Sequence, residues 1–186
     1  MNPKLLADIS TAIHDATHRP FTLRNSTSVG GGCINEAYQL EGIDSSRYFL
    51  KLNDAQHLTM FVAEAQGLAT IAATNTIRVP HAIAHGSTNG QSYLVLEHLE
   101  LGSRGDAKLL GEQLAALHRC TSEKANINQN NPNATSSPPP RWGRARERVD
   151  TLPTDISSRF GFAQDTFIGT TPQPNTWTDD WVAFWR

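Results

Sequence analysis

At 186 residues the chain is long enough for one domain, or for one small lobe and the start of a second. Hydrophobic residues at 38% against 18% charged residues support a lean globular core, and a formal net charge of −2 gives no strong pull toward nucleic acid or an anionic membrane. No apolar run approaches the roughly 20 residues of a membrane helix, and residues 1–13 lack a basic stretch followed by an unbroken apolar one, so neither a span nor a signal peptide is expected. Two cysteines, Cys33 and Cys120, are too few for a disulfide framework. A reduced, cytoplasmic setting follows as the default, and the sequons at Asn25 and Asn133 are chance matches.

Leu5, Leu6, Ile9, Ala12 and Ile13 recur at helical spacing, so the chain opens with an amphipathic helix. Residues 21–29 read as a strand, and residues 36–41 as a second strand paired with it across a glycine turn. Gly42-Ile43-Asp44-Ser45 turns the chain into a third strand over 48–53. Met60, Glu64, Gly67, Leu68 and Ile71 fall on one side of a helix over about 57–73. Short strands at 81–86 and 92–98 flank the polar turn 86–90, and a helix runs over about 106–119 with the stripe Leu109, Leu110, Gln113, Leu114 and Leu117.

Composition changes at Thr121. Asparagines between Asn126 and Asn133, then Ser136-Ser137-Pro138-Pro139-Pro140, cannot bury enough apolar area to offset their ordering entropy, so 122–157 is expected to be a flexible insertion. The basic stretch 141–148 reads as a solvated helix start rather than a phosphate or RNA contact. Trp177, Trp181, Phe184 and Trp185 have the spacing of one helical face and call for a large apolar partner. No cap or turn signal follows them, so the expectation is that the polypeptide stops inside an element, ahead of a second lobe.

Three segments carry the chemistry. Gly30, Gly31 and Gly32, with Cys33, Ile34 and Asn35, form a turn between strands that can bring backbone N–H groups close to phosphate oxygens, although glycines in a hairpin serve equally well as a plain turn. Lys51 lies mid-strand and must either face solvent or meet an anion. Glu64 lies on the inward side of the second helix, needs a partner, and has Lys51 as the plausible one. Such a lysine–glutamate pair holds nucleotide phosphates in kinase-like small lobes. The strand 93–97 would then lead into a connector, Glu97, His98 and Leu99, whose backbone faces adenine; an ordinary core strand is the plain alternative.

Cys33 beside phosphate-binding N–H groups is a candidate redox-sensitive thiol, with an inert small residue as the alternative. His81 and His85 lack further ligands for a metal, and His118 reads as a favourable charge at a helix end. Arg104-Gly105-Asp106 reads as a turn, with Asp106 able to cap the following helix.

Together these residues resemble the fructosamine kinase, or ketosamine-3-kinase, family, relatives of aminoglycoside phosphotransferases and choline kinases. The likeness rests on Gly30-Gly31-Gly32-Cys33-Ile34-Asn35-Glu36-Ala37-Tyr38, Tyr48-Phe49-Leu50-Lys51-Leu52-Asn53, Glu64-Ala65-Gln66-Gly67-Leu68 and the run 110–119. Most specific is Phe160-Gly161-Phe162 with Phe167-Ile168-Gly169-Thr170-Thr171-Pro172-Gln173-Pro174-Asn175-Thr176-Trp177 and Asp180-Trp181.

The resemblance implies an α+β fold: a protein-kinase-like small lobe of antiparallel sheet plus helix over 1–99, a first large-lobe helix over 100–121, and the start of an α-rich large lobe over 158–186. It implies ATP and magnesium as cofactors, a small-molecule or protein-bound ketosamine as substrate, and a redox-dependent homodimer through the cysteine at position 33. It assigns the segment 30–35 to phosphates, Lys51 and Glu64 to the nucleotide ion pair, and Glu97, His98 and Leu99 to adenine. The family's His-Gly-Asp-Leu-Trp catalytic loop and metal-binding aspartate have no match here, since His85-Gly86 is followed by Ser87. Little or no turnover is therefore expected of this chain by itself. The alternative is a non-catalytic, pseudokinase-like module that binds a nucleotide or a partner. A third reading, a kinase of aminoglycosides or choline, is disfavoured by the run 160–177.

Overall fold

The computed structural model describes residues 2–30, 34–102, 105–120, 160–162 and 164–184. Helix α1 (Pro3–Thr17) starts where the Asn2 side chain accepts a hydrogen bond from the Lys4 N–H, with Pro3 in the first turn, where its missing donor costs nothing. It ends at His18, which turns left-handed and returns its N–H to the His14 carbonyl.

Three antiparallel strands follow: β1 (Leu23–Ser28), β2 (Glu36–Gly42) and β3 (Arg47–Asp54). A single 3-10 turn, Ala55–His57, leads into α2 (Leu58–Ala73). Strands β4 (Ala82–Thr88) and β5 (Gln91–Glu97) are joined by Asn89 and Gly90, both at positive φ, the geometry of a tight hairpin that Asn-Gly favours. These strands form one five-stranded sheet in the order β1-β2-β3-β5-β4. Helix α3 (Ala107–His118) begins at Asp106, whose carboxylate accepts from the Lys108 and Leu109 N–H groups as a cap.

Alternation along the central strands divides their side chains between two cores. Leu40, Leu50, Leu52, Tyr93 and Val95 pack on one side with Leu5, Ile9 and Ile13 of α1, all three fully buried. Leu94 and Leu96 pack on the other side with Met60, Phe61 and Ala65 of α2. Strand β5 is thus covered on both faces, and α2 lies on the face opposite α1. Ser92, fully buried in β5, is satisfied by donating to the Asp54 carbonyl at 2.8 Å.

A second, two-stranded sheet pairs β6 (Thr166–Ile168) with β7 (Thr171–Gln173), and Phe167 of β6 joins the core beneath α2. The last described helix, α4, is short (Trp181–Phe184). The strands and helices expected through residue 119 are all present, their ends differing by a residue or two.

The shared helical face expected for Trp177, Trp181 and Phe184 is not formed. Thr178 exchanges backbone hydrogen bonds with Phe160, which holds the chain extended at Trp177. The helix begins only after Asp180, which caps it by accepting from the Val182 N–H. Trp181 instead meets Phe160 edge-on, with ring centroids 5.0 Å apart, and stacks on Phe184. Trp185, the expected insertion at 122–157 and the basic stretch 141–148 lie outside the described residues.

Candidate functional site

The sheet register sets the site. Lys51 stands on β3 between Ala37 of β2 and Leu94 of β5, on the face that receives α2. Glu64 is on the second turn of α2. The Lys51 ammonium donates to the Glu64 carboxylate at 2.6 Å, with the two side chains 26% and 29% exposed. A pair so sheltered is less screened than a surface ion pair, and it uses one of the three ammonium donors.

Asn53, two residues further along β3, was not singled out by the sequence. Its side-chain NH2 donates to the Ile34 carbonyl at 3.2 Å and to Asn35 Oδ1 at 2.7 Å. Its own Oδ1 accepts from the Asp54 N–H at 2.8 Å. The available signal was its two-residue spacing from Lys51, which puts both side chains on one side of the strand. The partner on the neighbouring turn is a long-range contact, and nothing local in the sequence specified it.

Gly30 is exposed, and among the described residues no atom would crowd a Cβ added there. Gly31, Gly32 and Cys33 lie outside the described residues. Ile34 is met from the other side by the β6–β7 turn: Gly169 has a φ of 65°, and a Cβ there would come within 3.1 Å of Ile34 Cδ1. Between α2, Ile34, Asn35 and this hairpin lies a cavity of about 470 Å³, walled by Met60, Glu64, Leu68 and Phe167 among others.

The connector is held at both ends by arginines. Arg78 pairs with Glu97, and Arg47 of β3 pairs with Glu100. The Glu97 carboxylate also accepts from the His81 N–H, while the Glu97 N–H donates to the His81 carbonyl at 2.8 Å. Burial pushes the Glu97 carboxyl upward, but Arg78 and the His81 N–H outweigh it and hold the group below its ordinary value. Its side chain is therefore engaged within the protein. His98 and Leu99 are half-buried beside it.

Among the described residues no group of three or more His, Cys, Asp or Glu side chains is placed to hold a metal ion. Cys120 is half-buried and not in a disulfide. No helix among the described residues is long and apolar enough to cross a membrane.

An antiparallel sheet whose third strand carries a lysine, paired with a glutamate on the helix that packs against it, defines a small lobe of the protein-kinase-like α+β class. Solved structures share this fold. A crystal structure from Haemophilus somnus 129PT, of a protein named as a fructosamine-3-kinase, superposes with a TM-score of 0.71 at 24% identity, covering 95% of this chain and 49% of that one. Another from Thermobifida fusca YX-ER1, also so named, gives 0.61 at 20% identity over the same 95% and 49%.

The family model for fructosamine kinase matches residues 5–144 and 148–186, and the chain belongs to that family. Similar curated proteins include a "Probable ketoamine kinase" of Synechocystis sp. (strain ATCC 27184 / PCC 6803 / Kazusa), 42% identical over 95% of this chain and 48% of its own length. A "Protein-ribulosamine 3-kinase, chloroplastic" of Oryza sativa subsp. japonica is 36% identical over 86% of this chain and 37% of its own length. The chain thus spans about half the length, or less, of these relatives.

Proposed function

We propose that this chain supplies the nucleotide-holding lobe of an ATP-dependent kinase that phosphorylates ketosamines, sugars joined to amines that include protein lysines. The observation that carries the reading is the sheltered 2.6 Å contact between Lys51 and Glu64. The glutamate holds the ammonium in place, and two donors remain on Lys51 for α- and β-phosphate oxygens. The segment 30–35 would cover the phosphates. The Glu97 N–H is already taken by His81, so at that residue the contact to adenine falls to the carbonyl, with the Leu99 N–H beside it. The names of the similar proteins support the ketosamine class.

Magnesium belongs to the same reading; among the described residues no three His, Cys, Asp or Glu side chains converge on one point, and a magnesium ion on ATP would lean on phosphate oxygens and one or two carboxylates. Its ligands and the base that accepts the hydroxyl proton would come from residues other than those described, and the described lobe by itself would bind nucleotide without turnover. A homodimer linked through Cys33, sensitive to redox state, and a cytoplasmic setting complete the proposal; the family resemblance and the cysteine usage support them.

Calorimetric titration with ATP and magnesium tests the cradle. Binding is expected for the wild-type chain and its loss for Lys51→Met, with Glu64→Gln weakened between the two. Turnover of a fructosamine by the purified chain would overturn the division of labour proposed here.

A further inference from the structure

We infer that Asn53 is a positioning residue of the nucleotide cradle: by donating both amide hydrogens to Ile34 and Asn35, it turns the Asn35 side chain so that its NH2 end is the one presented to a polyphosphate. The inference deepens the nucleotide-binding reading above and rests on it.

An asparagine amide has two ends of similar shape and opposite hydrogen-bonding sense. At Asn53 the ends are assigned by the backbone, because Oδ1 accepts from the Asp54 N–H at 2.8 Å. The NH2 must then face residues 34 and 35, where two acceptors await its two hydrogens, the Ile34 carbonyl and Asn35 Oδ1. Asn35 is oriented in turn. Its oxygen is taken by Asn53, so its NH2 is the outward end, and no hydrogen bond among the described residues uses it. Phosphate oxygens only accept, so a surface that is to meet them needs donors. Lys51 and Asn53 lie two apart on β3, so the ammonium and the Asn35 amide are held on the same side of the sheet.

Aspartate at position 53 would keep the shape and reverse the polarity. A carboxylate cannot donate to Ile34 or Asn35, and Asn35 could bond it only by flipping, which would aim an oxygen at the phosphates.

The test compares ATP with adenosine in titrations of the wild-type chain, Asn53→Ala, Asn53→Asp, Asn35→Ala and the Asn35→Ala/Asn53→Ala double variant. Each alanine variant is expected to weaken ATP about tenfold and leave adenosine unchanged, since one or two hydrogen bonds at the phosphate end are lost. The double variant is expected to lose little more than either single one, because Asn53 acts through Asn35. Asn53→Asp should lose at least as much as Asn53→Ala. Additive losses, equal losses for adenosine, or wild-type ATP affinity in Asn53→Asp would each overturn the inference. Should Asn53→Ala fail to fold by thermal unfolding, the shape-conserving Asn53→Asp takes its place beside Asn35→Ala, and wild-type ATP affinity in either one would overturn the inference. Loss of ATP binding in Lys51→Met with affinity intact in both asparagine variants would sink the inference and spare the cradle. A wild-type chain that takes up neither ligand would sink both.

Discussion

His85 sits at the end of a row, Ala37, Lys51, Leu94, His85, that crosses four strands on the α2 side of the sheet. Burial in that row lowers its pKa below the ordinary 6.5. The sign of the consequence follows from proton counts. Above pH 6.5 His85 is neutral whether the chain is folded or not, and it has no effect. As pH falls below that value the unfolded chain takes up a proton that the folded chain resists, so stability declines until the folded-state pKa is passed. Glu97 contributes in a lower window: its depressed pKa stabilises above its ordinary value of 4.5, and that contribution is lost as pH falls further. Urea unfolding from pH 8 to 4 should therefore show stability falling below pH 6.5, with His85 contributing a slope of at most about 1.4 kcal/mol per pH unit. His85→Gln should flatten the upper part of that decline and keep the acid limb. A wild-type curve already level between 6.5 and about 5 would contradict the burial argument.

Helix α2 shows how far periodicity reaches at the scale of an element. Its sequence, LTMFVAEAQGLATIAA, is apolar nearly all the way round, so the pattern establishes a helix while only weakly fixing which side is buried. The stripe read from it, Met60, Glu64, Gly67, Leu68 and Ile71, turns out to be the wall of the cavity that faces Ile34, Asn35 and the β6–β7 hairpin. The residue seated deepest in the sheet is Phe61, fully buried, with Ala65 one turn on. Lys51 and Glu64 were legible because a lysine mid-strand and a glutamate on an apolar helix each need a partner. The extended stretch at Trp177 was not, because its conformation depends on the bridge between the next residue, Thr178, and Phe160, far back in the chain. Asn175 deepens that constraint: it is buried, and its NH2 donates to the Gln164 carbonyl and to Thr166 Oγ1. Since Phe61 precedes Glu64 by one turn and fixes α2 on Leu94 and Leu96, Phe61→Ala should cost about 3–5 kcal/mol in denaturant unfolding. It should also weaken ATP in the molecules that remain folded. Intact ATP affinity at reduced stability would separate the seat of α2 from the position of Glu64.

For the whole molecule, the arrangement of helices on both faces of one sheet assigns them different work. The strand order and the pairing of β3 with β5 were not written in any local pattern, since they join segments some forty residues apart; the helices and hairpins between them were. Helix α2 carries Glu64 on the site face, whereas α1 covers the opposite face and contributes no side chain to the site. Its Leu5, Ile9 and Ile13 are fully buried over Leu40, Leu50 and Leu52, and Asp8 ties the helix to Thr88 and Asn89 at the β4–β5 turn. Burying each such side chain stabilises by about 1.5–3 kcal/mol, so α1 as a whole is comparable with the net stability of a domain, about 5–15 kcal/mol. Removing residues 1–17 should therefore leave a chain that does not fold, with the apolar face of β2, β3 and β5 open to aggregation. A single truncation within the same contact, Ile9→Ala, should cost about 2–5 kcal/mol by leaving a cavity that the rigid sheet cannot close. Because the lesion lies across the sheet from Lys51 and Glu64, ATP affinity under conditions where the variant is still folded should match the wild type. Paired measurement of urea unfolding and ATP titration on Ile9→Ala and Phe61→Ala makes the comparison direct. The expected result is similar destabilisation in both and a loss of affinity only in Phe61→Ala, and an equal loss of affinity in Ile9→Ala would show that the two faces of the sheet are not independent.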